Sequence, residues 1–347
     1  MQTIKTALAS FGMSGWVFHA PFLHHHPGYE LYAVWERSKN LAEEKYPGII
    51  TYRTYDEMLA HEAIELVIVN TPNYTHFDLA KRALLAGKHV VVEKPFTITS
   101  VEGLELIELA GKQNKKVSVF QNRRWDSDFK TVKKVVDEHL LGDIVEAEIH
   151  FDRFNEMLSP KAHKETPGPG TGILYDLGSH LVDQALCMFG LPEALFADLD
   201  TMRPHSGVDD YMDIVLFYPR MRVRIHGSYF VREPLPSFIL HGTKGSFTKA
   251  RADTQEPRLV AQDHPGMDDW GTEPDSASGF LHTEQNGELI KKFLPTERGS
   301  YMGYYEQLYQ AIVNNEPLQV SAADGLNVIR IIEKAYQSNQ EKRVVPV

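Results

Sequence analysis

Three short stretches carry side chains that could do chemistry. "VVVEKPF", residues 90–96, ends an apolar run on Glu93, Lys94 and Pro95. An ammonium at the end of such a run can donate to a substrate oxygen and stabilise alkoxide charge as it develops. Lys94 could also do no more than pair with Glu93. "GTGILYDLGSHLVDQ", residues 170–184, spaces Asp176 and His180 four apart, on one face of a helix. A histidine titrating near neutrality can take a hydroxyl proton, and a neighbouring carboxylate can hold its ring or the substrate. The same spacing suits a surface ion pair. It also suits two metal ligands, but no clear third ligand accompanies them, so no metal is expected. His163 lies in a Pro/Gly-rich loop that reads better as a substrate rim.

The third stretch is "ALASFGMSG", residues 7–15. It has the form G-x-G-x-x-G with Ser10 in place of the first glycine. Gly12 would let the backbone approach a pyrophosphate, and Gly15 would allow close helix packing. The loop Ser10, Phe11, Gly12, Met13, Ser14 and Gly15 would then place phosphate at a helix N-terminus, where free N–H groups favour anions. Ser10 is small enough to keep the turn if it stays out of positive φ. Glu36 ends the next apolar run about 20 residues on, where a ribose partner belongs. The triplet Glu36-Arg37-Ser38 leaves the cofactor open. A carboxylate on the ribose favours NAD, whereas Arg37 and Ser38 could cradle the extra phosphate of NADP. Arg37 could equally be a solvated surface charge. "NRRWDSDF", residues 122–129, follows the last apolar run of the first half. There Arg124 could bind substrate hydroxyls or cofactor and Trp125 could offer an apolar wall to a substrate, with Arg123 less placed to do so. Alternatively, they are solvent-facing arginines and an interdomain tryptophan.

The elements that must position these groups follow from periodicity. IKTALA (4–9), YELYAVW (29–35), IELVIVN (64–70), KHVVVE (88–93) and KKVSVFQ (115–121) read as strands. Several are near-continuous apolar runs, as in a parallel sheet covered on both faces. Helical patterns such as THFDLAKRALLAG (75–87) alternate with them. That order implies a doubly wound sheet over residues 1–121. Residues 122–347 read differently. IVEAEIHFDRF (144–154) is a long strand; 211–218 with 221–231, and SFILHG with GSFTKA, suggest hairpins; a helix runs from about 173 to 189. Residues 251–278, rich in Asp, Gly and Pro, read as a long loop, and ADGLNVIRIIEKAYQS as an amphipathic helix. The His24–His26 run reads as a helix end facing solvent. The expected fold is an α/β Rossmann-type doubly wound parallel sheet followed by an α+β domain with a large open, mostly antiparallel sheet.

Composition bounds the function. The 347 residues carry a formal net charge of −11, against the basic face that nucleic acid requires and against anionic membrane surfaces. The single cysteine, Cys187, cannot form an internal disulfide and reads as a small buried hydrophobe on a helix. No signal peptide is read at the start, and no apolar stretch approaches the roughly 20 residues of a membrane span. A cytoplasmic protein is expected.

Taken together, the loop, the stretch "NTPNYTHFDLAKRALLAGKHVVVEKP" (70–95) and "GTGILYDLGSHLVDQ" resemble the Gfo/Idh/MocA family of oxidoreductases along essentially the whole chain. The resemblance implies that Lys94 is the lysine of the family's EKP motif, that the Lys94–Pro95 bond is cis, and that Asp176 and His180 are its helical Asp/His pair. Thr71, Pro72, Asn73 and His76 match the loop lining the nicotinamide side, and Glu93 joins them. "NRRWDSDF" looks most like the branch with NADP-dependent scyllo-inositol dehydrogenases. The cofactor expected is NAD or NADP: Glu36 leans to NAD, the branch to NADP. The expected reaction interconverts a secondary alcohol and a ketone on a cyclic polyol or sugar. Two other readings are a non-catalytic nucleotide sensor and a redox-neutral NAD-dependent glycosidase. The family resemblance also implies a homodimer or homotetramer through the open sheet.

Overall fold

The computed structural model describes residues 2–159 and 165–347, so His163 lies outside the described residues. The chain forms two compact units. The first holds residues 1–122, 254–270 and 300–326, and the second holds 123–253, 271–299 and 327–347.

The first unit is built on a parallel sheet of six strands: β1 (Ile4–Leu8), β2 (Tyr29–Trp35), β3 (Ile50–Tyr52), β4 (Leu66–Val69), β5 (His89–Glu93) and β6 (Val117–Phe120). Their order is β3-β2-β1-β4-β5-β6. The order reverses between β1 and β4, so a crevice opens beyond their C-terminal ends, where such sheets bind ligands. The residues of β4 and β6 are buried throughout, as expected of strands covered on both faces. Two of the covering helices start on capping boxes, Thr54 with Glu57 and Thr99 with Glu102. Each box satisfies two amides that a helix start leaves open.

The stretch expected as a loop over 251–278 is corrected by the structure. It contains the helix Gln255–Val260, and Trp270 is buried against Phe22, its indole N–H donating to Gln255 Oε1 at 3.2 Å. Its two buried apolar anchors, Leu259 and Trp270, are too few and too widely spaced to set a helical or strand pattern, so composition alone hides them. A helix over Met302–Val313 adds Tyr304 and Tyr305 to the same core.

The second unit carries a sheet of nine strands: β7 (Ile144–His150), β8 (Ala194–Asp200), β9 (Tyr211–Tyr218), β10 (Met221–Ser228), β11 (Phe238–Gly242), β12 (Gly245–Lys249), β13 (Gly279–Gln285), β14 (Glu288–Leu294) and β15 (Val345–Pro346). All pairs are antiparallel except β7 with β10. Burial alternates residue by residue along β9, with Met212, Ile214, Leu216 and Tyr218 inward. Both expected hairpins form. The strand expected over 144–154 stops at His150, with Phe154 making only an isolated bridge to Phe230. Likewise, 221–231 ends at Ser228. A third hairpin, β13–β14, turns on Asn286 and Gly287, both at positive φ. Asn-Gly tolerates that conformation and matches the twist of paired strands. Among the described residues, no helix is long and apolar enough to cross a membrane.

Candidate dinucleotide site and catalytic groups

The loop between β1 and the first helix is fixed from β4. Ser10 donates its amide to Asn70 Oδ1 at 3.0 Å and its hydroxyl to the Asn70 carbonyl at 2.9 Å, and the Asn70 amide donates back to the Ser10 carbonyl at 2.9 Å. Ser10 is not among the residues with positive φ. The first glycine of the motif is thus replaced by a side chain whose hydroxyl holds the turn. Gly15 is required by space: a Cβ there would lie 2.5 Å from the Ser10 carbonyl oxygen and 3.0 Å from Asn70 Nδ2. A Cβ at Gly12 would have no neighbour nearer than Ser10 Oγ at 4.0 Å. Gly12 therefore borders open space, as a backbone approached by a ligand must. Helix begins directly after it, with a π-turn over Gly15–His19 followed by α-helix over Ala20–His25. The amides of a first turn have no intrahelical partner and face an anion. Of the histidine run, His24 and His25 are exposed as expected. His26 is buried instead, with Nε2 2.9 Å from Glu306 and Nδ1 accepting the Gly28 amide.

A cleft of about 380 Å³ opens beside this loop, lined by Ser10, Phe11 and Gly12, by Glu36, Arg37, Ser38 and Lys39, and by Thr71, Pro72, Tyr74 and Thr75. Its residue types and place at the strand reversal fit the adenosine end of a dinucleotide. Arg37, Ser38 and Lys39 are exposed, whereas Glu36 is only 6% exposed. The two Glu36 carboxylate oxygens accept the amides of Leu41 and Ala42 at 3.3 and 3.1 Å. Asn40 provides no side-chain cap to the helix Leu41–Lys45, so Glu36 takes that role. Its charge is engaged by a helix start rather than left free toward a ribose. Arg53 clamps the connecting loop, donating to the carbonyls of Glu36 and Lys39 and to the Asn40 side chain.

The segment after β4 is braced internally. Thr71 and Thr75 share a hydroxyl contact of 2.6 Å, and Thr75 donates to the Pro72 carbonyl. Asn73 starts the 3₁₀ turn Asn73–Thr75. His76 is buried with Nδ1 2.8 Å from the Pro95 carbonyl and Nε2 3.0 Å from the Thr71 carbonyl, so it ties this segment to the EKP turn. Burial holds its pKa below the usual histidine value, against those hydrogen bonds. The Lys94–Pro95 bond is cis. At the end of β5, Glu93 accepts the Ser14 hydroxyl at 2.5 Å and the Lys94 amide at 3.1 Å, and lies 3.0 Å from His19 Nε2. Burial pushes the Glu93 carboxyl up, but the hydrogen bond and charge of His19, then Ser14 and Lys94, outweigh it and leave it below the usual range. Met13 beside this network is exposed. No motif gives a role to His19, and Asn70, although it opens the 70–95 stretch, stands there as a polar residue ending an apolar strand.

In the second unit, the expected continuous helix begins as a π-turn over Leu174–Gly178, followed by α-helix over Ser179–Phe189. Asp176 therefore sits on the wide turn and His180 on the regular helix, so the face-sharing inferred from regular spacing is modified. Asp176 is half-buried and His180 is 5% exposed. Gly178 packs closely, since a Cβ there would lie 2.7 Å from Leu174 Cδ1 and 2.9 Å from Met212 Sδ and would require those side chains to shift. Arg124 and Trp125 lie on the 3₁₀ turn Asn122–Trp125. Arg124 forks onto Asp183, Nε to Oδ2 at 2.8 Å and Nη2 to Oδ1 at 2.6 Å. That bidentate pair holds the turn to the His180 helix. Arg123 pairs with Asp126 at 3.3 Å. Cys187 on the same helix is half-buried rather than fully enclosed. Among the described residues, no cluster of three or more His, Cys, Asp or Glu side chains is placed to hold a metal ion.

Comparison with known proteins agrees with this arrangement. Residues 4–121 match the sequence model described as "Oxidoreductase family, NAD-binding Rossmann fold", and residues 133–347 match "Oxidoreductase family, C-terminal alpha/beta domain". The chain is 37% identical over 341 residues to the uncharacterized oxidoreductase YdgJ of Escherichia coli (strain K12), covering 98% of each chain. It is 36% identical over 345 residues to the scyllo-inositol 2-dehydrogenase (NADP(+)) IolW of Bacillus subtilis (strain 168), covering 99% of this chain and 96% of that one. Among solved structures, an oxidoreductase from Bacillus cereus superposes with a TM-score of 0.92 at 32% identity, covering 99% of both chains. A Bacteroides fragilis protein does so with a TM-score of 0.92 at 46% identity over the whole of both. With both family domains matched in order, and with the nucleotide loop, the cis EKP turn and the Asp/His helix all in place, the chain belongs to the Gfo/Idh/MocA family of NAD(P)-dependent oxidoreductases.

Proposed function

We propose that this oxidoreductase uses NADP(H) to interconvert a secondary alcohol and a ketone on a cyclic polyol or sugar. The observation that carries the cofactor choice is the position of Glu36. Its carboxylate is engaged by the Leu41 and Ala42 amides, while Arg37, Ser38 and Lys39 line the adjoining cleft. A cleft edge with two cations suits a 2′-phosphate, and a carboxylate already bonded does not repel it as a free one would. The NADP dependence in the name of IolW supports the same reading, as it supports an inositol-like substrate.

The nicotinamide, when bound, supplies the hydride acceptor. The protein's own groups do the rest. His180 takes the substrate hydroxyl proton, and Asp176 orients the ring or the substrate. Lys94 donates to the same oxygen and stabilises its negative charge as hydride departs. Thr71 and Pro72, which line the adenosine cleft, and Asn73 after them are pinned through His76 to the EKP turn, and this segment borders the dinucleotide. Arg124 holds the Trp125 turn through Asp183, and Trp125 offers an apolar wall to a ring. We place the protein in the cytoplasm. We further propose self-association through the uncovered face of the nine-stranded sheet, which presents Phe280 and Phe293, both partly exposed, beside charged residues.

The test is NADP⁺ reduction with a panel of inositols and sugars, in the native enzyme and in Lys94→Ala. Turnover in the native enzyme should fall by about 10²–10³-fold in the variant, as for loss of an oxyanion donor, with NADPH binding retained. A variant that turns over at the native rate refutes the assignment of Lys94.

A further inference from the structure

The mechanism above does not use His19, yet this histidine is fully buried against Glu93, the last residue of β5, just before Lys94. Its surroundings constrain its protons. Tyr305 donates its hydroxyl hydrogen to the Phe18 carbonyl at 2.7 Å, and a phenol has only one to give. The same phenol oxygen lies 2.8 Å from His19 Nδ1. Nδ1 must therefore be the donor in that contact. On the other side of the ring, Nε2 lies 3.0 Å from Glu93 Oε1. With a proton already on Nδ1, a neutral imidazole would present a lone pair to that oxygen. Two forms avoid the clash: an imidazolium facing a carboxylate, or a neutral imidazole facing a carboxylic acid. Both contain one proton more than neutral imidazole plus carboxylate. The alternative, Tyr305 donating to Nδ1, sets two oxygen lone pairs against each other at the Phe18 carbonyl.

The chain of contacts thus runs from Phe18 through Tyr305 and His19 to Glu93, and on to the Ser14 hydroxyl of the phosphate loop. Glu93 also accepts the Lys94 amide. The titratable groups facing Glu93 from the neighbouring elements are Lys94, His76, Tyr304 and Tyr305, with Tyr29 against Tyr305. Burial keeps all three tyrosines protonated well above their ordinary range. Glu93 is therefore the buried anion of the cluster, and a buried carboxylate without compensation is costly.

We propose that His19 is a positioning residue: it shares one excess proton with Glu93 and so cancels that carboxylate's charge beside Lys94, the lysine that donates to the reacting oxygen. The pair also ties the phosphate-loop helix to the EKP turn. This rests on the reading of Lys94 given above. The proton count, in contrast, stands on geometry alone, and the two are separated by experiment.

The first measurement is ¹⁵N NMR of the imidazole nitrogens of the native protein between about pH 7 and 8, where a free histidine is largely neutral. The His19 signals are assigned by their loss in His19→Gln. The expected result is two protonated nitrogens, an imidazolium facing the Glu93 carboxylate. A ring protonated on one nitrogen alone overturns the proposal. The second measurement is a stability cycle of His19→Gln, Glu93→Gln and the double variant. If His19 balances charge, the double variant is more stable than His19→Gln alone, because the anion left behind is gone. If His19 only fills space, the double variant is no more stable, and the proposal falls. In single turnover, His19→Gln should slow hydride transfer about tenfold, the equivalent of one pK unit, with cofactor affinity little changed. An unchanged rate removes the link to Lys94. If Lys94→Ala keeps full turnover while the His19 proton signature is present, the reading of Lys94 fails and the shared proton stands.

Discussion

Arg37→Ala separates the two cofactor readings. Arg37 lies on the exposed rim of the adenosine cleft, next to a glutamate whose carboxylate is bonded to two backbone amides. A 2′-phosphate carries roughly 1.5 to 2 negative charges near neutral pH. At about 4 Å, one pair of unit charges in water-like surroundings is worth about 1 kcal/mol. For the phosphate this gives about 1.5–2 kcal/mol, within the roughly 1.5–3 kcal/mol of a hydrogen bond to a charged group. A loss of about 2 kcal/mol raises the Kd for NADPH about 30-fold. NADH has no such phosphate, so its Kd should change less than about twofold. The assay is quenching and energy transfer on titrating NADPH and NADH into both proteins, at low and high salt. Because the site is exposed, the NADPH effect should shrink as the Debye length falls from about 10 Å to about 3 Å between 0.1 and 1 M salt. Lys39→Ala in the same background should weaken NADPH again. Equal weakening of both cofactors, or native protein that prefers NADH, would refute the reasoning and return Glu36 to the ribose.

Two further outcomes follow from the geometry. Gly15→Ala places a Cβ 2.5 Å from the Ser10 carbonyl oxygen, so the loop must shift. It should cost about 1–3 kcal/mol of stability and weaken NADPH binding at least tenfold, read by denaturation and titration. His89 accepts the Lys116 amide at 3.0 Å on Nδ1, and burial, then Lys115 and Lys116, pull its pKa down to about 4. The folded state therefore binds this proton more weakly than the unfolded chain, whose histidine titrates near 6.5. Stability is fully present above the unfolded value and is lost as pH falls from there toward about 4. The ceiling is about 3 kcal/mol, reduced to about 1–2 kcal/mol by solvent screening, because the ring is not fully buried. His89→Asn should flatten this part of the pH–stability profile, and an unchanged acid limb would show that His89 does not set it.

Much of the architecture was legible because it rests on short-range patterns. A four-residue apolar run rich in β-branched residues, such as LVIV in β4, reads as a covered strand, and the alternation in MRVRIHG of β10 gives one buried face. The hairpin at Asn286-Gly287 carries an equally local signal, a turn dipeptide between two strands. Trp270 had no such signal. Its burial depends on Phe22 and Gln255, reached by chain that returns to the first unit after leaving it.

The site divides in the same way. Residue type and order alone determined that a phosphate loop, an EKP strand end and an Asp/His helix exist, because each is a contiguous stretch. Tertiary structure decided what each polar atom does. Ser10 holds its turn through Asn70, 60 positions away, and Glu93 meets His19 from 74 positions away. Glu36 turns to the Leu41 and Ala42 amides because the helix beside it arrives without a cap from Asn40. A carboxylate or imidazole has several partners within reach of its type. Which one it takes is set by desolvation, since a buried polar atom must bond to whatever the fold brings beside it.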